Sequence, residues 1–185
     1  GYTKQNDDFP ITTNSLQKYH GGKNDAFYCK LSNTLDTLLY STLLGGLDDD
    51  FGLNITIDRN SYVYLVGSTR SLNFPVTSDA FDIFYNDSLN NSRRSDGFIS
   101  IISPNGILEY STFFGGSQRD VIYDIEVDKN LSFYITGVTE SKDFPVTAFA
   151  YDTTYRSQEG ERNAGDIFIA KFLPTRKYLD FSTYI

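Results

Sequence analysis

Short stretches in which apolar and polar side chains alternate, each closed by a polar or glycine-bearing turn, recur along this chain. In the first, Asp25 to Ser32 alternates around Phe27 and Leu31, and Asn33 to Asp36 supply a polar turn. Thr37 to Leu44 then runs back until Gly45-Gly46 stops it. Gly52 to Asp58 places Leu53, Ile55 and Ile57 on one face, Arg59-Asn60 turn the chain, and Ser61 to Val66 returns to Gly67. Alternation with a period of two marks a strand, because successive side chains of pleated backbone point to opposite faces. The pattern predicts four strands in meander order within one unit, and Asp96–Ser103, Ile107–Phe114, Val121–Asp128 and Leu131–Thr136 predict the same four again. Tyr62 to Val66 is apolar on both faces, which predicts cover from a neighbouring sheet on each side.

The units repeat. Phe-Pro pairs begin at 9, 74 and 144; Asp-x-Phe triplets begin at 25, 96 and 166; and Tyr/Phe-Ser-Thr triplets begin at 40, 110 and 181. Gly-Gly pairs follow the first two of these triplets at 45 and 115. Landmarks in one order at intervals of 65 to 71 residues predict repeats of about 1–66, 67–136 and 137–185, the last incomplete. The phrase Gly-x-Thr…Phe-Pro-x-Thr, at 1–12, 67–77 and 137–147, reads as the connection from one unit to the next. There the glycine ends a fourth strand and Pro10, Pro75 or Pro145, lacking an N–H, takes the chain out of the sheet. A short helical turn is expected over Thr77 to Tyr85 and Thr147 to Tyr155. Four-stranded sheets repeated face to face predict an all-β fold: a β-propeller-type array of four-stranded antiparallel blades forming one region over 1–185. Fewer than four blades do not close, so the chain reads as a segment of a larger propeller or one completed by another chain. A β-sandwich is the structural rival, though it needs no such internal identity.

Composition narrows the partners. A net charge of −8 offers no basic field to collect phosphates, which excludes a nucleic-acid backbone as the main partner. Cys29 is the only cysteine, so no intrachain disulfide forms. No apolar run reaches the roughly 18–20 residues of a membrane span; Leu38 to Leu47 comes nearest and is broken by Ser41, Thr42, Gly45 and Gly46. The chain opens inside a repeat without an initiator Met, so any targeting segment is expected upstream.

The combined string Gly-x-Thr-x-Ser-x-[Asn/Asp]-Phe-Pro-Val-Thr…Ala-[Phe/Tyr]-Asp…Asp-x-Phe…Lys-[Leu/Phe]…Tyr-Ser-Thr-[Leu/Phe]-[Leu/Phe]-Gly-Gly resembles the SBBP repeat, a β-propeller repeat of bacterial and archaeal surface and secreted proteins. It stands clearest in Gly67–Thr77, Gly137–Tyr151, Asp166–Lys171 and Tyr40–Gly46. The first unit departs from it, with Gln5-Asn6-Asp7 where the others carry Ser71 and Ser141, and Asn14-Ser15-Leu16 in place of Ala-Phe or Ala-Tyr. The resemblance implies a propeller fold and an extracellular or cell-surface setting. It brings no catalytic residues with it.

Candidate chemistry is sparse, and no catalytic set is nominated. Asp48, Asp50 and Asp120 are weak Ca²⁺ candidates, since oxygen-rich loops with glycine suit that ion; the competing role is turn fixing, also expected of Asp25, Asp96, Asp166, Asp58 and Asp128. No other cofactor is expected. His20 and Cys29 read as an exposed loop histidine and a buried strand cysteine rather than a nucleophilic pair. Two polar loops, 86–95 and 156–165, are longer than the equivalent stretch of the first unit; they read either as solvated loops that merely tolerate length or, since such insertions emerge together on one face of a repeat array, as a binding face. Their candidate ligand or partner residues are Tyr85, Asn86, Asn90, Arg93, Tyr155, Arg156 and Glu159. Asn86, Asn90 and Asn130 begin sequons for glycosylation, while Asn54 begins one in mid-strand. The expected function is a non-enzymatic surface or secreted scaffold for adhesion, assembly or display. Its expected partners are neighbouring propeller repeats or copies of the same chain, with strand exchange as one route to a filament. A carbohydrate-binding or carbohydrate-active propeller working through the two loops is the alternative.

Overall fold

A computed structural model describes residues 1–5, 8–86, 94–157, 165–174 and 178–185. The described elements are eleven strands in three antiparallel sheets, and no helix is found among them. The N-terminal sheet has three strands, β1 (Tyr2–Lys4), β2 (Asn24–Leu31) and β3 (Leu38–Leu44), in that spatial order. The middle sheet runs β4 (Asp50–Ile57), β5 (Val63–Thr69), β6 (Asp96–Ile102), β7 (Leu108–Phe114). The C-terminal sheet repeats that order with β8 (Asp120–Val127), β9 (Phe133–Thr139), β10 (Asp166–Phe172) and β11 (Leu179–Tyr184). The all-β propeller-type architecture is therefore as the pattern predicts, although the three sheets do not close into a ring among the described residues.

The grouping of strands differs from the meander expected. The strands predicted as one unit are split between sheets: β3 and β4 do not pair, whereas β5 pairs with β6 along its whole length, from Val63↔Ile102 to Thr69↔Asp96. The break between sheets falls at Gly45-Gly46 and Gly115-Gly116. The Gly-x-Thr…Phe-Pro phrase instead links two strands of one sheet. As a result the C-terminal sheet has all four strands, and it is the N-terminal sheet that has three.

Gly67 and Gly137 lie inside β5 and β9 instead of ending them. The inner strands bulge opposite them, between Gly52 and Asn54 and between Ile122 and Asp124. A Cβ on Gly67 would stand 1.8 Å from the Phe51 carbonyl oxygen, and one on Gly137 2.0 Å from that of Val121. Only glycine admits the bulge.

After the glycine, Phe74 and Phe144 turn back under their own sheets. The Phe74 ring lies 4.5 Å from Phe98, and Phe144 lies 4.5 Å from Phe168. Beyond the proline the chain follows the outer strand. Thr77 N–H donates to the Ser111 carbonyl (3.0 Å) and its hydroxyl accepts from Ser111 N–H (3.2 Å). Phe113 N–H then donates to the Asp82 carbonyl. Thr12 on Ser41 and Thr147 on Ser182 repeat the contact. Each connection thus covers the open edge of its own outer strand, the place where stray pairing would otherwise begin. Where short helices are expected there is one hydrogen-bonded turn each, Ala80 on Thr77 and Ala150 on Thr147.

Two apolar layers lie between the sheets. Ala26, Leu44, Leu65, Phe74, Phe98 and Phe113 fill one, at the junction of the N-terminal and middle sheets. The second, between the middle and C-terminal sheets, is larger and rich in rings, with Tyr64, Phe114, Phe133, Phe168 and Phe172 fully buried. β5 and β6 are buried at every position, so the cover expected on both faces of Tyr62 to Val66 is present over β5. No helix among the described residues is long and apolar enough to cross a membrane.

Candidate functional site

The buried carboxylates form a repeated structural unit at each junction between sheets. The Gly-Gly turn delivers the chain into the next inner strand, whose first residue, Asp50 or Asp120, is wholly buried. Gly46 N–H donates to Asp50 Oδ2 (2.7 Å), as does the Ser71 hydroxyl (2.9 Å), while the Thr69 hydroxyl donates to Oδ1. Asp120 receives Gly116 N–H (2.7 Å) and the Ser141 hydroxyl (2.8 Å) in the same way. Ser71 and Ser141, the serines of the repeated phrase, also accept from Asp48 N–H and Gln118 N–H. Burial pushes both carboxyls up to about 7 against the pull of these donors, helped at Asp50 by the charge of Asp25 and at Asp120 by that of Asp143.

A second carboxylate series opens β2, β6 and β10. Asp25 accepts from Gly21 N–H (2.8 Å) and the Gln17 amide (2.8 Å), Asp96 from Asn86 N–H (2.9 Å), and Asp166 from Arg156 N–H (2.7 Å) and Ser157 N–H (3.1 Å). A third fixes the hairpins: Asp58 Oδ1 accepts from Asn60 and Tyr62 N–H, and Asp128 Oδ1 from Asn130 and Ser132 N–H. The turn-fixing role expected of these five residues is what the geometry gives them.

The calcium candidates are dispersed. Asp50 and Asp120 occupy equivalent places at two different junctions, and Asp48 Oδ1 pairs with Lys23 Nζ at 2.8 Å. Among the described residues, no group of three or more His, Cys, Asp or Glu side chains stands together as a metal site would require. His20 and Cys29 reverse their expected exposure. The histidine side chain is only 12% exposed, with Nδ1 3.8 Å from Asp25 Oδ2, whereas Cys29 is exposed because it faces outward from the N-terminal sheet.

The loop candidates anchor rather than project. Tyr85 packs its ring 5.9 Å from Phe113 and donates its hydroxyl to the Arg94 carbonyl (3.2 Å). Tyr155 lies 6.0 Å from Tyr184. Asn86 Nδ2 donates to Asp82 Oδ2 (2.7 Å), and Arg156 pairs with Asp152. Asn90, Arg93 and Glu159 lie outside the described residues. Asn130 sits exposed at the tip of the β8–β9 hairpin, whereas Asn54 lies within β4 and donates to Asp124 of the next sheet.

Sequence reasoning missed the most exposed rings. Phe149 is 98% exposed and Tyr151 86%, both in the connection that follows Pro145. Tyr151 stands where the middle copy has Phe81, which an adjoining sheet covers, whereas Phe149 stands where the other copies carry Asn14 and Asp79.

A stack of antiparallel sheets, each handed to the next by a clamped Gly-Gly turn, is a β-propeller-type array. Residues 39–75, which run from β3 across the first junction to Pro75, match the family described as SBBP, Beta-propeller repeat. Over those residues the chain therefore matches an SBBP repeat. No curated protein matches it.

Proposed function

We propose that the chain is a non-enzymatic scaffold of propeller sheets, working outside the cell or at its surface in adhesion, assembly or display. The observation that supports this most is how the buried carboxylates are used. Asp25, Asp50, Asp96 and Asp120 each hold backbone or hydroxyl donors of the joints, and they do so at equivalent positions of successive copies. A catalytic constellation is a convergence of different groups at one place, whereas these are the same groups distributed along the stack. The extracellular setting draws its support from the SBBP resemblance.

The test is turnover. The purified chain is expected to leave a panel of glycans, esters and peptides unchanged. Turnover abolished by substitution of a single carboxylate would overturn the scaffold reading.

A carbohydrate-binding role is the second reading, favoured by the exposed rings of Phe84 and Phe149 on the connections that carry the longer loops. Sugar faces stack on such rings, while Tyr85 and Tyr155 are engaged inward. A glycan array on which Phe84→Ala and Phe149→Ala bind as the parent does would remove it.

A further inference from the structure

The outward face of the C-terminal sheet is a second instance of a face already seen covered. Offsets of 70 or 71 residues make Tyr134 the counterpart of Tyr64, Ile169 of Ile99, and Ile185 of Phe114. In the middle sheet these three positions are 1%, 0% and 0% exposed, because the C-terminal sheet lies on them. In the C-terminal sheet the same positions are 39%, 39% and 59% exposed, and all remain apolar. Tyr151 repeats the lesson in the connection: its counterpart Phe81 lies 5.6 Å from Phe172 of the adjoining sheet, while Tyr151 itself is uncovered. Tyr134 and Ile169 also line a groove of about 260 Å³ on this face, with Asp124, Glu126 and Thr136 around them.

What covers the middle sheet tells what fits here. The sheet that lies on it brings Phe144, Phe168 and Phe172, whose rings stand 5.1, 5.9 and 5.3 Å from Phe114. Their counterparts in the first copy are Phe9, Phe27 and Leu31. Those three sit on the opposite end of the stack, on the outward face of the N-terminal sheet. The Phe9 and Phe27 rings lie 4.6 Å apart, tilted at 44°, and are half-buried, and Leu31 is exposed. One chain thus presents both halves of the interface that joins its own sheets.

We infer that a second copy of this chain docks head to tail, its Phe9, Phe27 and Leu31 face seated on the Tyr134, Tyr151, Ile169 and Ile185 face. The inference rests on the scaffold reading, and it names the partner and the surface. The interface is heterologous: it closes where the rotation per sheet allows and extends as a filament where it does not. Because the connections already cover the outer strand edges, docking proceeds by faces rather than by exchange of outer strands.

The test is sedimentation velocity of the chain over a concentration series, with Ile169→Asp on one face and Leu31→Asp on the other. The parent is expected to gain mass with concentration. Each variant alone is expected to stay monomeric with unchanged circular dichroism. Mixing the two leaves one intact interface and is expected to yield a 1:1 complex that grows no further. Should Ile169→Asp disturb folding, Tyr151→Glu, on a ring already in solvent, is expected to weaken association in its place. A parent that stays monomeric to its solubility limit overturns the inference. So does association that survives the face substitutions, or association that Ile169→Asp abolishes and Leu31→Asp leaves intact, which would mark a symmetric pairing of C-terminal faces. None of these outcomes touches the turnover result, so the scaffold reading stands or falls separately.

Discussion

Leu35 and Gly106 occupy the same place in successive hairpins, at φ of 60° and 81°. The left-handed conformation crowds a Cβ against the following carbonyl and costs an ordinary residue about 1–2 kcal/mol. Gly106 escapes the penalty, whereas Leu35 incurs it with a side chain 74% exposed that returns little packing. Leu35→Gly is therefore expected to stabilise the protein by about 0.5–1 kcal/mol in urea unfolding, the relief being trimmed by glycine's greater chain entropy. Gly137 is the opposite case. Its φ is unremarkable, but the Val121 carbonyl and the Phe168 ring occupy the space a methyl group would need. Gly137→Ala is expected to cost about 1–3 kcal/mol, as overpacking in a rigid interior does; an unfolding midpoint equal to the parent's would show that the bulge can move aside.

At the scale of the element, the strands themselves were legible because alternation is a local property of pleated backbone. β6 to β9 lie where the apolar pattern puts them, and Asp58 and Asp128 turn the hairpins they were expected to turn. Which strands share a sheet was not legible. A period of about 70 residues locates each copy only up to a cyclic shift, and the chain offers two candidate joints per copy, the Gly-Gly turn and the Phe-Pro phrase. The longer link looks like the passage between units. Its hydrogen bonds show why it is not: Phe74 plugs beneath β6 while Thr77 and Asp82 run along β7, so the link spends its length covering its own sheet. The candidate polar residues fared likewise. Asp50 and Asp120 could be picked out as special, but the hydroxyls that claim them come from the phrase at the end of the neighbouring strand, distant in sequence. Cys29 differs from expectation for a related reason, since exposure on a sheet is set by whether another sheet adjoins.

The sheets are joined at places where a carboxyl is buried without a basic partner among the described residues, and that gives the stack a pH dependence of predictable sign. Asp50 and Asp120 are pushed from an ordinary 3.8 to about 7 by burial. Between those values the folded chain holds protons that the unfolded chain has released. Their contribution to stability is thus fully present below about pH 4 and is lost as the pH rises through about 7. The urea midpoint is expected to fall between pH 5 and pH 8, a tenfold difference in acidity between the two states being worth about 1.4 kcal/mol. Asp120→Asn keeps an oxygen for the Gly116 N–H and the Ser141 hydroxyl and removes the charge, so it is expected to shrink the fall, and the double variant with Asp50→Asn to shrink it further. The comparison is made within the same pH window, so that contributions common to parent and variant cancel. A midpoint that rises across this window, or a fall that both asparagines leave unchanged, would mean that the joints carry their carboxylates ionised. The weak points of the stack would then have to be sought in the apolar layers between the sheets instead of at the Gly-Gly turns.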